Sequence, residues 1–200
     1  AVGSVLISAH TAAHGQNVKE TSVQGNSTNL IQNPSNEAPL VGGEITGWQE
    51  IIGSNWKQRS TDPLPFEGEA YFFAGVGASA ELQQDVDVST YAVAIDAGTQ
   101  SFDFTGYVRS WSDGQDTSRI VLEYLNGAKD NVLSSFDSGE IANASAWQEV
   151  TDSRLAPVGT RYIRVRLISK RGSGSNNDGY FDALALTTPE YVIYLPLVLK

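Results

Sequence analysis

The side chains able to do chemistry are few. The chain of 200 residues holds two histidines, His10 and His14, both near its start, and no cysteine. A Ser-His-Asp triad, a thiolate metal site or a cysteine nucleophile in the body of the protein is therefore not expected. Two carboxylate pairs, Glu67 with Glu69 and Asp85 with Asp87, stand two residues apart and share a face if their segments are strands. Glycoside hydrolysis needs one such group with a raised pKa and one without. Nothing in the sequence raises either, so both pairs read as solvated faces. That leaves the aromatic residues. Trp48, Trp56, Tyr71, Tyr107, Trp111, Tyr124 and Trp147 either fill a core or offer rings on which the C–H faces of sugars pack. Trp111 precedes Ser112-Asp113-Gly114 and falls on the polar-facing set of its strand, with Arg109 on the same side. Trp56, Arg109 and Trp111 are accordingly the expected ligand-binding residues, with a polysaccharide as partner.

These residues need elements to hold them, and the pattern is strand after strand. In Ala80 to Val88, Ala80, Leu82, Gln84, Val86 and Val88 alternate with Glu81, Gln83, Asp85 and Asp87. In Ser101 to Trp111, Phe102, Phe104, Gly106 and Val108 alternate with Asp103, Thr105, Tyr107 and Arg109. In the segment from Arg161 to Lys170, Ile163, Val165 and Leu167 form the expected core face. A period of two marks half-buried strands. Turn-formers separate the runs: Asp113-Gly114, Asn126-Gly127, Pro157-Val158-Gly159 and the stretch 172–179. No segment sustains a helical period. The expected fold is all-β, an antiparallel β-sandwich (jelly roll) over residues 28–188, with an N-terminal arm at 1–27 and an apolar C-terminal tail at 189–200.

The balance of 13 basic and 23 acidic residues, net −10, opposes nucleic-acid binding and attraction to anionic membranes. No apolar run reaches about 18 residues, so no transmembrane helix is expected. The first residue is Ala1 and methionine is absent. A cleaved secretory leader would account for this, so a secreted, extracellular or cell-surface location is expected. Asn26-Ser27-Thr28 and Asn143-Ala144-Ser145 fit the N-glycosylation pattern. Arg161, Arg164, Arg166, Lys170 and Arg171 gather five of the 13 positive charges. They suit either a subunit contact or cross-strand pairing within one sheet.

Asn29-Leu30-Ile31-Gln32-Asn33-Pro34-Ser35-Asn36-Glu37, followed by Gly47-Trp48, resembles the opening of galactose-binding-like jelly rolls, which include many bacterial carbohydrate-binding modules. Here Pro34 and Ser35 replace the usual Gly-Phe. Asn177-Asp178-Gly179-Tyr180-Phe181-Asp182-Ala183-Leu184-Ala185-Leu186 resembles that family's last strand. The resemblance implies the fold. It also implies a structural calcium ion with Glu37 and Asp182 as side-chain ligands and backbone carbonyls completing the shell. It implies little about function, because this fold serves many.

The two ends carry a separate expectation. Val2, Val5, Leu6 and Ile7 make the arm strand-prone, and Tyr191, Ile193 and Leu195 make the tail apolar. An unpaired apolar strand is a liability, so each needs a partner. Nine extended residues span about 30 Å, enough to complete a neighbour's sheet. The leading expectation is a non-enzymatic structural subunit that builds a head-to-tail homopolymer, a filament or surface layer, by exchanging its arm. The alternatives are ends that pair within one molecule and a carbohydrate-binding module. Pro196 restricts the tail to an edge position.

Overall fold

The computed structural model describes residues 5–9, 19–24, 28–53, 55–111, 115–189 and 192–196, with side chains over 28–53, 55–111 and 115–189. The chain forms two compact units, residues 29–187 and residues 1–28 with 188–200.

In chain order the strands are β1 (Val5–Ala9), β2 (Lys19–Gln24), β3 (Gln49–Ile52), β4 (Lys57–Arg59), β5 (Tyr71–Phe73), β6 (Ser79–Asp87) and β7 (Ser101–Ser110). They continue with β8 (Thr117–Leu125), β9 (Val132–Asp137), β10 (Gln148–Leu155), β11 (Tyr162–Lys170), β12 (Gly179–Thr187) and β13 (Val192–Pro196). A short helix, α1 (Ala92–Asp96), links β6 to β7.

The body is a sandwich of two five-stranded sheets, ordered β10-β7-β12-β5-β4 and β3-β6-β11-β8-β9. Every pairing in them is antiparallel. The alternation in sequence becomes alternation in burial. Phe102, Phe104 and Val108 of β7 face Ile163, Val165 and Leu167 of β11 across a single core, and all six are buried. Burying each such side chain contributes about 1.5–3 kcal/mol, so the facing apolar sets hold the two sheets together. Gly106 lies among the phenylalanines of β7. A Cβ there would come 2.8 Å from Leu184 Cδ2, so the leucine packs on bare backbone.

Arg164 and Arg166 of the basic run are paired inside their own sheet, while Arg161 pairs with Asp96 of α1. Arg164 lies opposite Asp85 on β6 and Glu123 on β8. Its Nε is 2.7 Å from Asp85 Oδ1. Arg166 pairs with Glu81 at 2.7 Å and with Glu123 at 2.9 Å. Register places the charges in rows, and the rows neutralise one another.

The strands of the arm and tail pair with one another within this chain, as the alternative expectation has it, and nothing among the described residues supports exchange between subunits. β1 pairs with β2, and β2 with β13, in one three-stranded sheet built from a single chain. Val5 lies opposite Val23, Leu6 opposite Ser22 and Ile7 opposite Thr21. Ile193 pairs with Val23 and Leu195 with Thr21. In this chain the ladder partner of both β1 and β13 is the polar segment Lys19–Gln24. β13 with Pro196 takes an edge position, where a missing N–H costs nothing. Val2, Tyr191, His10 and His14 lie outside the described residues.

Candidate functional site

A groove of about 570 Å³ lies on the β3-β6-β11-β8-β9 sheet. Its base is β6. Gln83, Asp85 and Asp87 project from the side opposite the core-facing Leu82 and Val86. Gln49 of β3 and Lys129 of the β8–β9 connection form walls, and the segments at Gln32 and Gly47-Trp48 close one end.

Two kinds of glutamine build it. Gln84 is structural: its Oε1 accepts the Gln32 N–H at 2.8 Å, and its Nε2 donates to the carbonyls of Gln32 at 3.0 Å and Gly47 at 2.8 Å. One buried amide therefore fixes both segments at that end. Trp48 assists, with its Nε1 donating to the Gln32 carbonyl at 3.2 Å and its ring edge-on to Phe72. Gln32 and Gln49, by contrast, are exposed, and their side-chain amides make no hydrogen bond among the described residues. Each offers a donor and an acceptor to whatever enters.

The groove's carboxylates are not poised for proton transfer. Burial raises the pKa of Asp85, but the hydrogen bonds and charges of Arg164 and Lys129 outweigh it, leaving the group below the usual carboxylate range. Asp87 is lowered too, chiefly by the Ser89 backbone N–H. Neither is the raised-pKa acid that glycoside hydrolysis requires.

A smaller cavity of about 210 Å³ lies at the end of β7, on the other sheet, lined by Asp62, Pro63, Arg109, Ser110, Trp111 and Ala144. Two of the three expected ligand-binding residues, Arg109 and Trp111, meet here, and Trp111 is 40% exposed. Trp56 does not join them. It enters the core beside Phe181, at a ring distance of 6.1 Å, and only 1% of it is exposed. The polar residues around Trp56 in sequence concealed a core-facing position. Trp147, half-buried, packs edge-on against Tyr71 and donates its Nε1 to the Leu64 carbonyl at 3.0 Å.

Glu37 and Asp182 act on one segment, residues 66–70, which lies against the face of β7 and β12 turned away from the core. Asp182 Oδ2 accepts the N–H of Phe66 at 2.7 Å and of Glu67 at 3.2 Å, and Oδ1 accepts that of Ala183 at 2.7 Å. A bulge after Asp182, with Ala183 at φ 47°, turns the carboxylate toward this segment. Glu37 Oε1 accepts the N–H of Glu69 at 2.8 Å and of Ala70 at 2.9 Å. Gly68 sits between them at φ 68°, where a Cβ would fall 2.3 Å from Glu37 Oε1. Burial pushes the pKa of Asp182 up to about 6, the amides of Glu67, Ala183 and Phe66 pull against this, and the charge of Glu37 adds to the rise.

The calcium expectation is tested by this donor set. Calcium takes six to eight oxygens. Here five backbone N–H groups, positive ends outward, point at the two carboxylates. Among the described residues no three His, Cys, Asp or Glu side chains are grouped to hold a metal. In this arrangement the two carboxylates anchor the segment through its amides.

No protein-family model matches the chain, and no curated protein sequence matches it. Solved structures share its fold. One is the enzymatically active domain of tailspike protein 4 of bacteriophage CBA120 (TM-score 0.58, 14% identity, 80% of this chain and 21% of that one). A second is TmCBM61 in complex with β-1,4-galactotriose (0.54, 19%, 82% and 100%). A third is a family 16 carbohydrate-binding module (0.56, 16%, 79% and 99%). A cyclase from Fischerella sp. TAU is similar to the same degree (0.56, 15%, 82% and 98%). At these identities the likeness establishes the fold alone, an antiparallel β-sandwich, and that fold is shared by binding modules and enzymes.

Proposed function

We propose that the chain is a non-catalytic carbohydrate-binding module of the extracellular space, which takes a segment of a neutral polysaccharide into the groove over β6. The observation behind this is the pair of exposed, unbonded amides of Gln32 and Gln49 beside Gln83 and Lys129 in a cavity of about 570 Å³. Amides donate and accept in equal measure, which suits ligands dense in hydroxyl groups. Cavities of roughly 300–1,000 Å³ with a few placed polar groups are the usual ligand sites. The shared fold of TmCBM61, solved with β-1,4-galactotriose, supports the same reading.

Affinity electrophoresis through gels containing β-1,4-galactan, xylan, mannan or β-glucan tests it. Retardation by at least one polymer is expected, with loss of retardation in the Gln32→Ala/Gln49→Ala variant. Unretarded migration through every gel overturns the proposal.

A further inference from the structure

The groove leaves the cavity at Trp111 unexplained. Trp111 is held as a rigid platform. The Arg59 guanidinium lies 5.6 Å from the centroid of its ring and also packs on Phe73 at 4.8 Å and Tyr180 at 5.6 Å. Arg59 is fixed in turn by Asp178 Oδ1 at 3.4 Å and the Thr61 carbonyl at 3.0 Å. A cation sandwiched among aromatic rings immobilises them. Two polar atoms near this ring lack partners. Arg109 Nε and Ser110 Oγ are buried and make no hydrogen bond, although Arg109 Nη2 reaches the Ala144 carbonyl at 3.2 Å. Buried polar groups are almost always paired; Ser110 faces the core, so the unpaired nitrogen that belongs to this outer face is that of Arg109.

The lining selects the class of ligand. A cation is opposed by the guanidinium of Arg109. An anion is opposed by the Asp62 carboxylate. A neutral ring with one apolar face and several hydroxyls satisfies every wall. Its C–H face would pack on Trp111 and Pro63, one hydroxyl would accept from the Arg109 guanidinium, and another would donate to Asp62. The volume of about 210 Å³ has room for a small ring but not for a polymer segment.

We infer that the Trp111 cavity is a second sugar subsite, built for a single pyranose such as a chain end or branch, on the opposite sheet from the groove. The inference rests on the carbohydrate-binding reading and adds a second valence to it. Two sites on opposite sheets let one module engage two chains, or two parts of one chain, and so raise avidity without raising either affinity.

The test follows the indole N–H resonance of Trp111 by nitrogen–proton correlation NMR, identified by its loss in Trp111→Phe. The probes are D-galactose, D-glucose, D-mannose and D-xylose, followed by β-1,4-galactotriose. A saturable shift of the Trp111 resonance with at least one monosaccharide is expected. That shift should persist in Gln32→Ala/Gln49→Ala, and the affinity should weaken about tenfold in Arg109→Lys, which keeps the charge and loses the guanidinium. A Trp111 resonance fixed under every probe, while the groove still binds a polysaccharide, overturns the subsite and leaves the groove reading intact. The same fixed resonance with no polysaccharide bound anywhere overturns both.

Discussion

The Asp182 carboxylate on β12 accepts the Phe66 backbone N–H at 2.7 Å, and the Phe66 ring stacks on Tyr107 with centroids 3.6 Å apart. A buried carboxylate thus pins a strap, residues 61–70, over the outer face of the β7–β12 pair. The strap is fastened at three further points. Glu37 holds Glu69 and Ala70, Trp147 holds the Leu64 carbonyl, and the Tyr71 hydroxyl donates to the Thr61 carbonyl at 2.9 Å. Because Asp62 and Pro63 belong to it, the strap also forms one wall of the Trp111 cavity.

Asp182→Ala leaves the amides of Phe66, Glu67 and Ala183 without their acceptor, and stability should fall by about 2–3 kcal/mol. The pH dependence has a definite sign. The folded-state pKa of about 6 stands above the unfolded value, so the native state holds the extra proton in between. The stability that this group contributes is full below about pH 4 and is lost as pH rises through about 6. Urea unfolding at a series of pH values should show this decline in the wild type and its absence in Asp182→Asn. A wild-type profile that rises across that window contradicts the assignment.

Trp56 and Trp111 differ in role despite their shared chemistry. Trp56→Ala opens a core cavity beside Phe181 and should cost about 3–5 kcal/mol. Trp56→Phe should cost far less, because the Trp56 Nε1 has no hydrogen-bond partner to lose. Equilibrium unfolding of the two variants measures both. Equal stability of Trp56→Ala and the wild type would place Trp56 outside the core.

Calcium should leave the fold unaffected. With amides occupying the Glu37 and Asp182 carboxylates, the thermal midpoint should be the same in calcium and in chelator. A midpoint several degrees higher in calcium would show that a cation binds the native state.

Much of the sandwich is legible in sequence, for an identifiable reason. β6, β7 and β11 are central strands with one face buried, so Leu82, Phe104 and Val165 alternate with polar residues. β3 and β4 stand at sheet edges with little burial, and Lys57-Gln58-Arg59 carries no alternation to read. β2 is a central strand whose residues, Lys19 to Gln24, are mostly polar, so the arm's partner carried no apolar alternation to read. Arg109 and Trp111 were visible because strand period and the following turn expose them. The groove was not, because Gln32, Gln49 and Gln83 lie far apart in sequence and glutamine has no spacing signature. The strap anchor was half visible: Asp182 interrupts an apolar run, but the groups it binds are backbone amides, which every sequence contains.

The central claim is that exposed amides over β6 hold a neutral polysaccharide. Isothermal titration of wild type and Gln32→Ala/Gln49→Ala with oligosaccharides of the polymer that retards the protein tests this most directly. The side-chain amides of both glutamines are free of internal hydrogen bonds, and the backbone bonds of Gln32 survive substitution, so the variant should unfold at the wild-type midpoint. An affinity about tenfold or more weaker in the variant is the predicted result. Equal affinity in the two proteins would contradict the account.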